Sequence, residues 1–447
     1  MLKVLILAYD FPPYVSVGGL RPYSWYKYFR EFGIDPVVIT RQWSNSYGNQ
    51  LDYIAPGTSD SAIIEDNELG TIIRTPYHSN LSNRILLNNG ERKWRLIRKV
   101  NSAFFEVAQF YIPVGPKIQL YHAANRYLKA HKVDLILATG DPFVLFHYAK
   151  KLSNVYKTPW VADYRDPWSH HKENTRSFFV KLWLKSLEKR IVSQSICATT
   201  VSAFVQHKIN EISPELPISI VPNGFDPEAI LGLNEIKPLQ NVLRFAFVGT
   251  IYEWHPLELF FEQLNRFVSN HEMVLEVNFY GTNKTEWIID FIQRTYPNLV
   301  GKVNAFGAMP NQALLKTLAS HHVMILFNYY SYLGTKIFDY LAIKRQILLC
   351  FEHDPVAEAL RKRFFSIKEK GNENAQLQAD LLRKTNGGIV VRDAEHLQHV
   401  LTSLQEEFLQ TGNIACFSRD IEQYSRKIQV ERLASLIKSI SSQSAYE

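Results

Sequence analysis

Gly18-Gly19 and Arg21 follow closely on the apolar run Val4-Leu5-Ile6-Leu7-Ala8. The run reads as a buried parallel strand, the segment with Pro12-Pro13 and Gly18-Gly19 as a loop, and the stretch from about Arg21 to Gly33 as a helix. That order sets backbone N–H groups and a helix N-terminus above the carboxyl end of a strand, where open α/β sheets bind phosphate-bearing ligands. No G-x-G-x-x-G is present, which argues against a dinucleotide. The glycines also fit a plain strand-to-helix turn.

Further along, Gly334-Thr335-Lys336 opens a helix whose N-terminus can accept a diphosphate, with Lys336 as a point charge. Asp339 lies one turn later on the same face and can accept ribose hydroxyls, although the spacing equally fits an i,i+3 surface pair. Phe247-Val248-Gly249-Thr250 is a strand-to-loop junction of the same kind as the opening one. Asp163, Arg165 and Asp166 crowd the end of another apolar strand. Such charges are costly to bury unpaired, so they form an ion-pair network along a cleft, with Asp163 or Asp166 free to hold a sugar hydroxyl or act as a base. An internal salt bridge is the competing reading. Asp141, between the strand Asp134–Leu137 and Pro142, fits a ligand-facing carboxylate or an ordinary helix cap. His170-His171 and His321-His322 are adjacent pairs whose side chains diverge, so no metal site is expected. No Walker loop or G-x-S-x-G elbow occurs.

The elements that must position these groups alternate between strand and helix. Strands are predicted at 3–8, 36–40, 71–74, 134–138, 159–163, 197–201 and 218–221. Helices fall near 21–32, 93–111, 117–131, 143–154, 176–194 and 203–211. A second series has strands at 243–248, 275–280, 303–306, 323–327, 346–350 and 388–391, with helices between them. Alternation of this kind predicts an α/β protein with two Rossmann-like, doubly wound parallel sheets. The expected division is 1–221 for the first domain, a Pro/Gly/Asn-rich linker at 222–242, 243–416 for the second, and a further helix within 417–447. Two such domains would face one another across a cleft that closes on its ligand.

A chain of 447 residues with 46% hydrophobic and 21% charged residues is ample for such cores. Cys197, Cys350 and Cys416 are far apart, which points to a reducing compartment. With no leader-like N-terminus and no long apolar run, a cytoplasmic protein is expected. The net charge is +7. Part of it is local: Arg84, Arg92, Lys93, Arg95, Arg98 and Lys99 face Glu91, and apolar and aromatic residues through Tyr111 are interleaved. The segment 84–111 can therefore lie on the inner face of an anionic membrane, or pack on its own domain with a solvated basic face. No nucleic-acid-binding module is recognisable.

The motifs FPPYVSVGGLRPYSWYKYFREFG, ATGDPF, VADYRDPW, CATTVSAF…IVPNGFDP, FVGTIY and GTKIFDYLA, in that order, resemble those of GT-B glycosyltransferases close to glycosyltransferase family 4. The resemblance covers essentially the whole chain. It implies transfer of a sugar from a nucleotide-sugar donor to a glycan or lipid-linked acceptor in surface polysaccharide biosynthesis, with retention, without a bound metal and without a cofactor. It places the donor mainly on the second domain and the acceptor on the first, and brings the last helix back to the first domain. Gly18, Gly19, Gly249, Thr250, Gly334, Thr335, Lys336 and Asp339 would then contact the donor. Asp166, Asp141 and Arg165 would serve catalysis, and Arg21 and Asp163 the acceptor side. Two departures stand out. Ser331 replaces the first of the family's two glutamates and Asp339 the second, and Trp254-His255 stand near where many members carry an arginine and a lysine. A weak or inactive GT-B protein acting as partner or scaffold is therefore the alternative, and a nucleotide-sugar epimerase the next.

Overall fold

The computed structural model describes residues 1–43, 51–170, 177–271, 275–364 and 376–443. These form two compact units, one running to Pro222 and resuming at Arg426, the other spanning Asn223–Ser425.

The first unit contains, in chain order, β1 (Leu2–Leu7), α1 (Val17–Tyr28), β2 (Ile34–Arg41), β3 (Ile63–Asn67), β4 (Gly70–Thr75), α2 (Leu81–Asn89), α3 (Arg95–Ala108) and α4 (Ile118–Ala130). It continues with β5 (Leu135–Gly140), α5 (Val144–Tyr156), β6 (Trp160–Tyr164), α6 (Phe178–Val192), β7 (Cys197–Thr200), α7 (Ala203–Asn210) and β8 (Ile218–Ile220). The sheet order is β3-β4-β2-β1-β5-β6-β7-β8. Every neighbouring pair is parallel except the β3–β4 edge. Central strands are apolar on both faces, as a sheet covered by helices on each side requires. Leu5, Ile6 and Leu7 are wholly buried, as are Leu135, Ile136 and Leu137.

The second unit contains β9 (Leu243–Val248), α8 (Leu257–Asn270), β10 (Leu275–Tyr280), α9 (Thr285–Thr295), β11 (Val303–Phe306), α10 (Asn311–Ala319), β12 (Val323–Phe327) and α11 (Lys336–Ala342). Then follow β13 (Gln346–Cys350), α12 (Pro355–Phe364), α13 (Leu377–Thr385), β14 (Gly388–Val390) and α14 (Ala394–Thr411). Its sheet, β11-β10-β9-β12-β13-β14, is parallel throughout. α15 (Arg426–Gln443) returns to the first unit, where Val430, Leu433 and Ile437 join the core that holds Trp25 of α1 and Phe29 just beyond it.

Three differences from the sequence reading have clear causes. Residues 222–242 are not a free connector, because Phe225 and Leu233 are buried in the core of the second unit. β3 went unpredicted because its residues are largely exposed at the antiparallel edge, which leaves little apolar signal in IIEDN. Helix α1 starts at Val17 rather than near Arg21. The glycines read as loop, but Ser16 is the cap and accepts the Gly19 N–H at 3.1 Å. Gly18 and Gly19 are thus helical residues, not loop residues. Among the described residues no helix is long and apolar enough to cross a membrane.

Candidate functional site

In the first unit the residues beyond β1 meet the start of α1 and the β6 end. Ser16 Oγ donates to Asp10 Oδ2 at 3.2 Å, and Arg165 Nη1 lies 3.8 Å from the same oxygen. Arg165 also donates through Nε to the Gly140 carbonyl at 2.8 Å and through Nη2 to the Asp141 carbonyl. Its planar fork therefore ties three chain segments together. Asp10 was not singled out in the sequence, since an aspartate next to Phe11-Pro12 carries no motif. Burial raises its carboxyl above the ordinary range, against the lowering influence of Arg165 and Ser16. Burial likewise lowers the Lys117 ammonium, with Asp141 acting in the opposite direction.

The need for glycine at position 18 follows from this cluster. A Cβ there would collide with Arg165 Nη1 and Asp10 Oδ2, whereas one at Gly19 would meet backbone at 3.4 Å. Both colliding atoms end flexible side chains, so the collision is relieved by moving them. Gly18→Ala is therefore expected to leave the melting temperature within about 2 °C of the parent while displacing Arg165 from Asp10. A crystal structure of the variant with the Arg165–Asp10 approach intact would contradict this reading.

Arg21 and Asp163, assigned to the acceptor side from the sequence, form an internal ion pair instead. Asp163 is 0% exposed. It accepts from Arg21 Nη2 at 2.7 Å and Nε at 3.1 Å, from Thr139 Oγ1 at 2.9 Å and from Thr199 Oγ1 at 2.7 Å. Arg21 Nη1 completes the network on the Val221 carbonyl at 2.7 Å. With both side chains buried and engaged, neither presents a free polar edge to a ligand, so the salt-bridge reading replaces the acceptor reading. Asp141 is not a helix cap either: α5 begins at Val144 with Phe143 at the cap position, and Asp141 is exposed. Asp166 is partly exposed, and among the described residues no hydrogen bond or ion pair engages its carboxylate. Trp168, two residues on, is core, stacked on Phe143 with ring centroids 5.1 Å apart.

In the second unit the β9 end and the start of α11 come together. Gly249 has φ of +97°, a conformation that L side chains rarely adopt. Its N–H donates to the Tyr280 carbonyl at 3.0 Å. A Cβ built on it would lie 4.0 Å from Lys336 Cε, so the lysine stem runs beside this bare stretch of backbone. Tyr340 Oη accepts the Val248 N–H at 2.9 Å, which fixes α11 against β9. Among the described residues no ion pair engages the Lys336 ammonium. Thr250 is exposed, while Gly334, Thr335 and Asp339 are partly exposed around the same helix start.

Asn283, which carries no sequence signal, braces the loop after β9. It accepts the Ile251 N–H at 2.8 Å and donates back to the Ile251 carbonyl at 3.2 Å. Trp254 and His255 are buried rather than facing outward. Tyr252 stacks on Trp254 with centroids 4.4 Å apart, and His255 lies 5.4 Å from the Phe327 ring.

Among the described residues no group of three or more His, Cys, Asp or Glu could hold a metal ion. His321 and His322 do structural work. Asn278 Nδ2 lies 3.1 Å from His321 Nε2, and the Arg244 N–H donates to His322 Nδ1 at 3.1 Å. Burial lowers both rings to about 4. His171 lies outside the described residues.

Residues 108–229 match the family model for Glycosyltransferase Family 4. No curated protein matches the chain. Solved structures match along its whole length. Sucrose-phosphate synthase from Thermosynechococcus elongatus superposes with a TM-score of 0.58 at 12% identity, covering 100% of this chain and 98% of that one. The catalytic domain of starch synthase IV from Arabidopsis thaliana, bound to ADP and acarbose, gives 0.55 at 11% identity, with 100% of both chains covered. The UDP-forming α,α-trehalose-phosphate synthase from Burkholderia xenovorans, in complex with glucose-6-phosphate, gives 0.56 at 10% identity, covering 98% of this chain and 100% of that one. The GT-B fold read from the sequence therefore holds along the whole chain. The family 4 resemblance holds over the segment carrying ATGDPF, VADYRDPW and IVPNGFDP.

Proposed function

We propose that this GT-B protein transfers a glycosyl group from a nucleotide sugar to a glycan or lipid-linked acceptor in surface polysaccharide biosynthesis, with retention and without a bound metal. The observation that carries the proposal is the second-unit constellation: the Lys336 ammonium, which no ion pair engages among the described residues, beside the bare backbone of Gly249 and the exposed Thr250. A nucleoside diphosphate suits it, because close backbone approach and one point charge match a diphosphate. The ADP bound to the starch synthase domain and the UDP formed by the trehalose-phosphate synthase support the same class of donor. When the bond from the sugar C1 to the diphosphate breaks, the electron pair leaves with the diphosphate oxygen, and Lys336 meets that charge. Asp339, one turn along α11, takes ribose hydroxyls.

In the first unit Asp166 supplies the free carboxylate. It orients the acceptor hydroxyl or stabilises positive charge at C1, while Arg165 holds the Asp10 and Asp141 segments beside it. Asp166→Asn is therefore expected to cut the transfer rate by roughly 100-fold or more. Release of nucleoside diphosphate in the presence of acceptor measures this, and full activity in the variant would remove Asp166 from the mechanism.

A binding role without turnover is the second reading, favoured by the burial of Trp254 and His255 near where the family resemblance implies an arginine and a lysine. Nucleotide-sugar binding without transfer to any acceptor would establish it. Product formation with no acceptor present would point to an epimerase instead.

A further inference from the structure

We infer that the α2–α3 hairpin and the first turns of α6 form a docking surface for an anionic phospholipid bilayer. This rests on the reading of a membrane-linked acceptor and names the face that would meet the lipid.

The sequence left two readings of this segment: its end packs on the domain, with Phe110 buried against Trp168, whereas α3 itself does not. No residue of α3 is buried. The helix packs on α2 through its polar edge: Asn101 Oδ1 accepts the Ser82 N–H at 3.0 Å, and the Ser82 and Ser102 hydroxyls lie 2.8 Å apart. Its apolar stripe points outward, with Leu96 75%, Val100 64% and Phe104 56% exposed. That is the reverse of a surface helix in a water-soluble domain, which turns its apolar stripe to the core.

A second element carries exposed apolar side chains as well. After α3, Tyr111 Oη accepts from Trp183 Nε1 of α6 at 2.8 Å. One turn before Trp183, Phe178 is 68% and Phe179 79% exposed. Two helices distant in sequence thus each expose large apolar side chains, and the Tyr111–Trp183 hydrogen bond ties the end of the α3 segment to α6.

Charge selects the occupant. A cleft of about 640 Å³ along the polar edge of the same helix, where it meets Ser82 of α2, is lined by Arg92, Arg95, Arg98 and Lys99, with Glu91 and Glu106. Lys185 and Lys189 are exposed on α6. A protein partner would fit an apolar face, but apolar side chains flanked by arginine and lysine match acyl chains beneath anionic headgroups. The lysine and arginine stems can lie along the apolar surface while their charges reach the phosphates. α3, about 21 Å long at 1.5 Å per residue, is long enough to lie in the interface plane.

The test is flotation of the full chain with vesicles of phosphatidylcholine alone and of phosphatidylcholine mixed with phosphatidylglycerol. The expected result is binding to the mixed vesicles, weakened by salt and much weaker with phosphatidylcholine alone. Arg95→Gln and Lys99→Gln should each weaken it roughly fivefold. Val100→Ser with Phe104→Ser, and separately Phe178→Ser with Phe179→Ser, should each weaken it at least about tenfold. All these side chains are exposed, so melting temperatures should stay at the parent value. Failure to bind either vesicle, or equal binding to both, would overturn the inference. So would self-association abolished by the same serine substitutions, which would assign the face to a second copy. Nucleotide-sugar binding by the same preparation reports on the transferase reading separately.

Discussion

Arg21→Ala is expected to lower the melting temperature of the first unit by roughly 10 °C. The substitution leaves the Asp163 carboxylate, which is 0% exposed, without its counter-ion. Thr139 and Thr199 would still donate to it, but two hydroxyls do not neutralise a buried charge. Removing one partner of a buried ion pair costs about 3–5 kcal/mol, and each kcal/mol moves a unit of this size by about 2–4 °C. The loss should be cooperative, because Arg21 also holds the Val221 carbonyl at the end of the unit. Arg21→Lys should fall between, since one ammonium cannot reproduce the fork. Differential scanning calorimetry measures the shift. A change under about 2 °C would mean that water reaches the pair and that Asp163 is free to serve a ligand after all.

Lys336→Ala should weaken binding of a nucleotide sugar by about 10- to 100-fold and leave stability near the parent value. A hydrogen bond to a charged group contributes roughly 1.5–3 kcal/mol, about one to two decades in Kd. The fold loses little, because among the described residues the ammonium makes no ion pair. Lys336→Arg should recover part of the affinity, as it restores charge with a different geometry. Isothermal titration calorimetry with the nucleoside diphosphate separates the outcomes. An unchanged Kd in the alanine variant would move the phosphates away from Gly249 and Lys336.

Much of the fold was legible because buried parallel strands announce themselves as apolar runs and their helices as periodic ones. The predicted strands at 243–248, 275–280, 303–306 and 323–327 coincide with β9, β10, β11 and β12. What escaped was local and polar. The α1 start turned on a serine cap ahead of two glycines that read as loop, and β3 is too exposed to leave a pattern.

The candidate site divided in the same way. Proximity in sequence placed Lys336 and Asp339 on one helix, but the approach of Lys336 to Gly249 spans 87 residues and depends on how β9 meets α11. The acidic cluster at 163–166 was read as one network. The end of β6 at Tyr164 divides it, keeping Asp163 in the buried strand against Arg21 and leaving Asp166 in the partly exposed loop beyond. Asp10 and Asn283 gave no signal because their importance lies in tertiary partners, Arg165 and Ile251, that no motif records.

The most direct measurement of the central claim is a melting-temperature screen of the full chain against nucleotide sugars and the free nucleoside diphosphates. A ligand that binds the native state alone stabilises it by about 2.7 kcal/mol at one hundred times its Kd, a shift of several degrees for a unit of this size. At least one nucleotide sugar is expected to raise the melting temperature of the parent chain, with a smaller shift in Lys336→Ala. No shift with any nucleotide sugar or nucleoside diphosphate at millimolar concentration would contradict it.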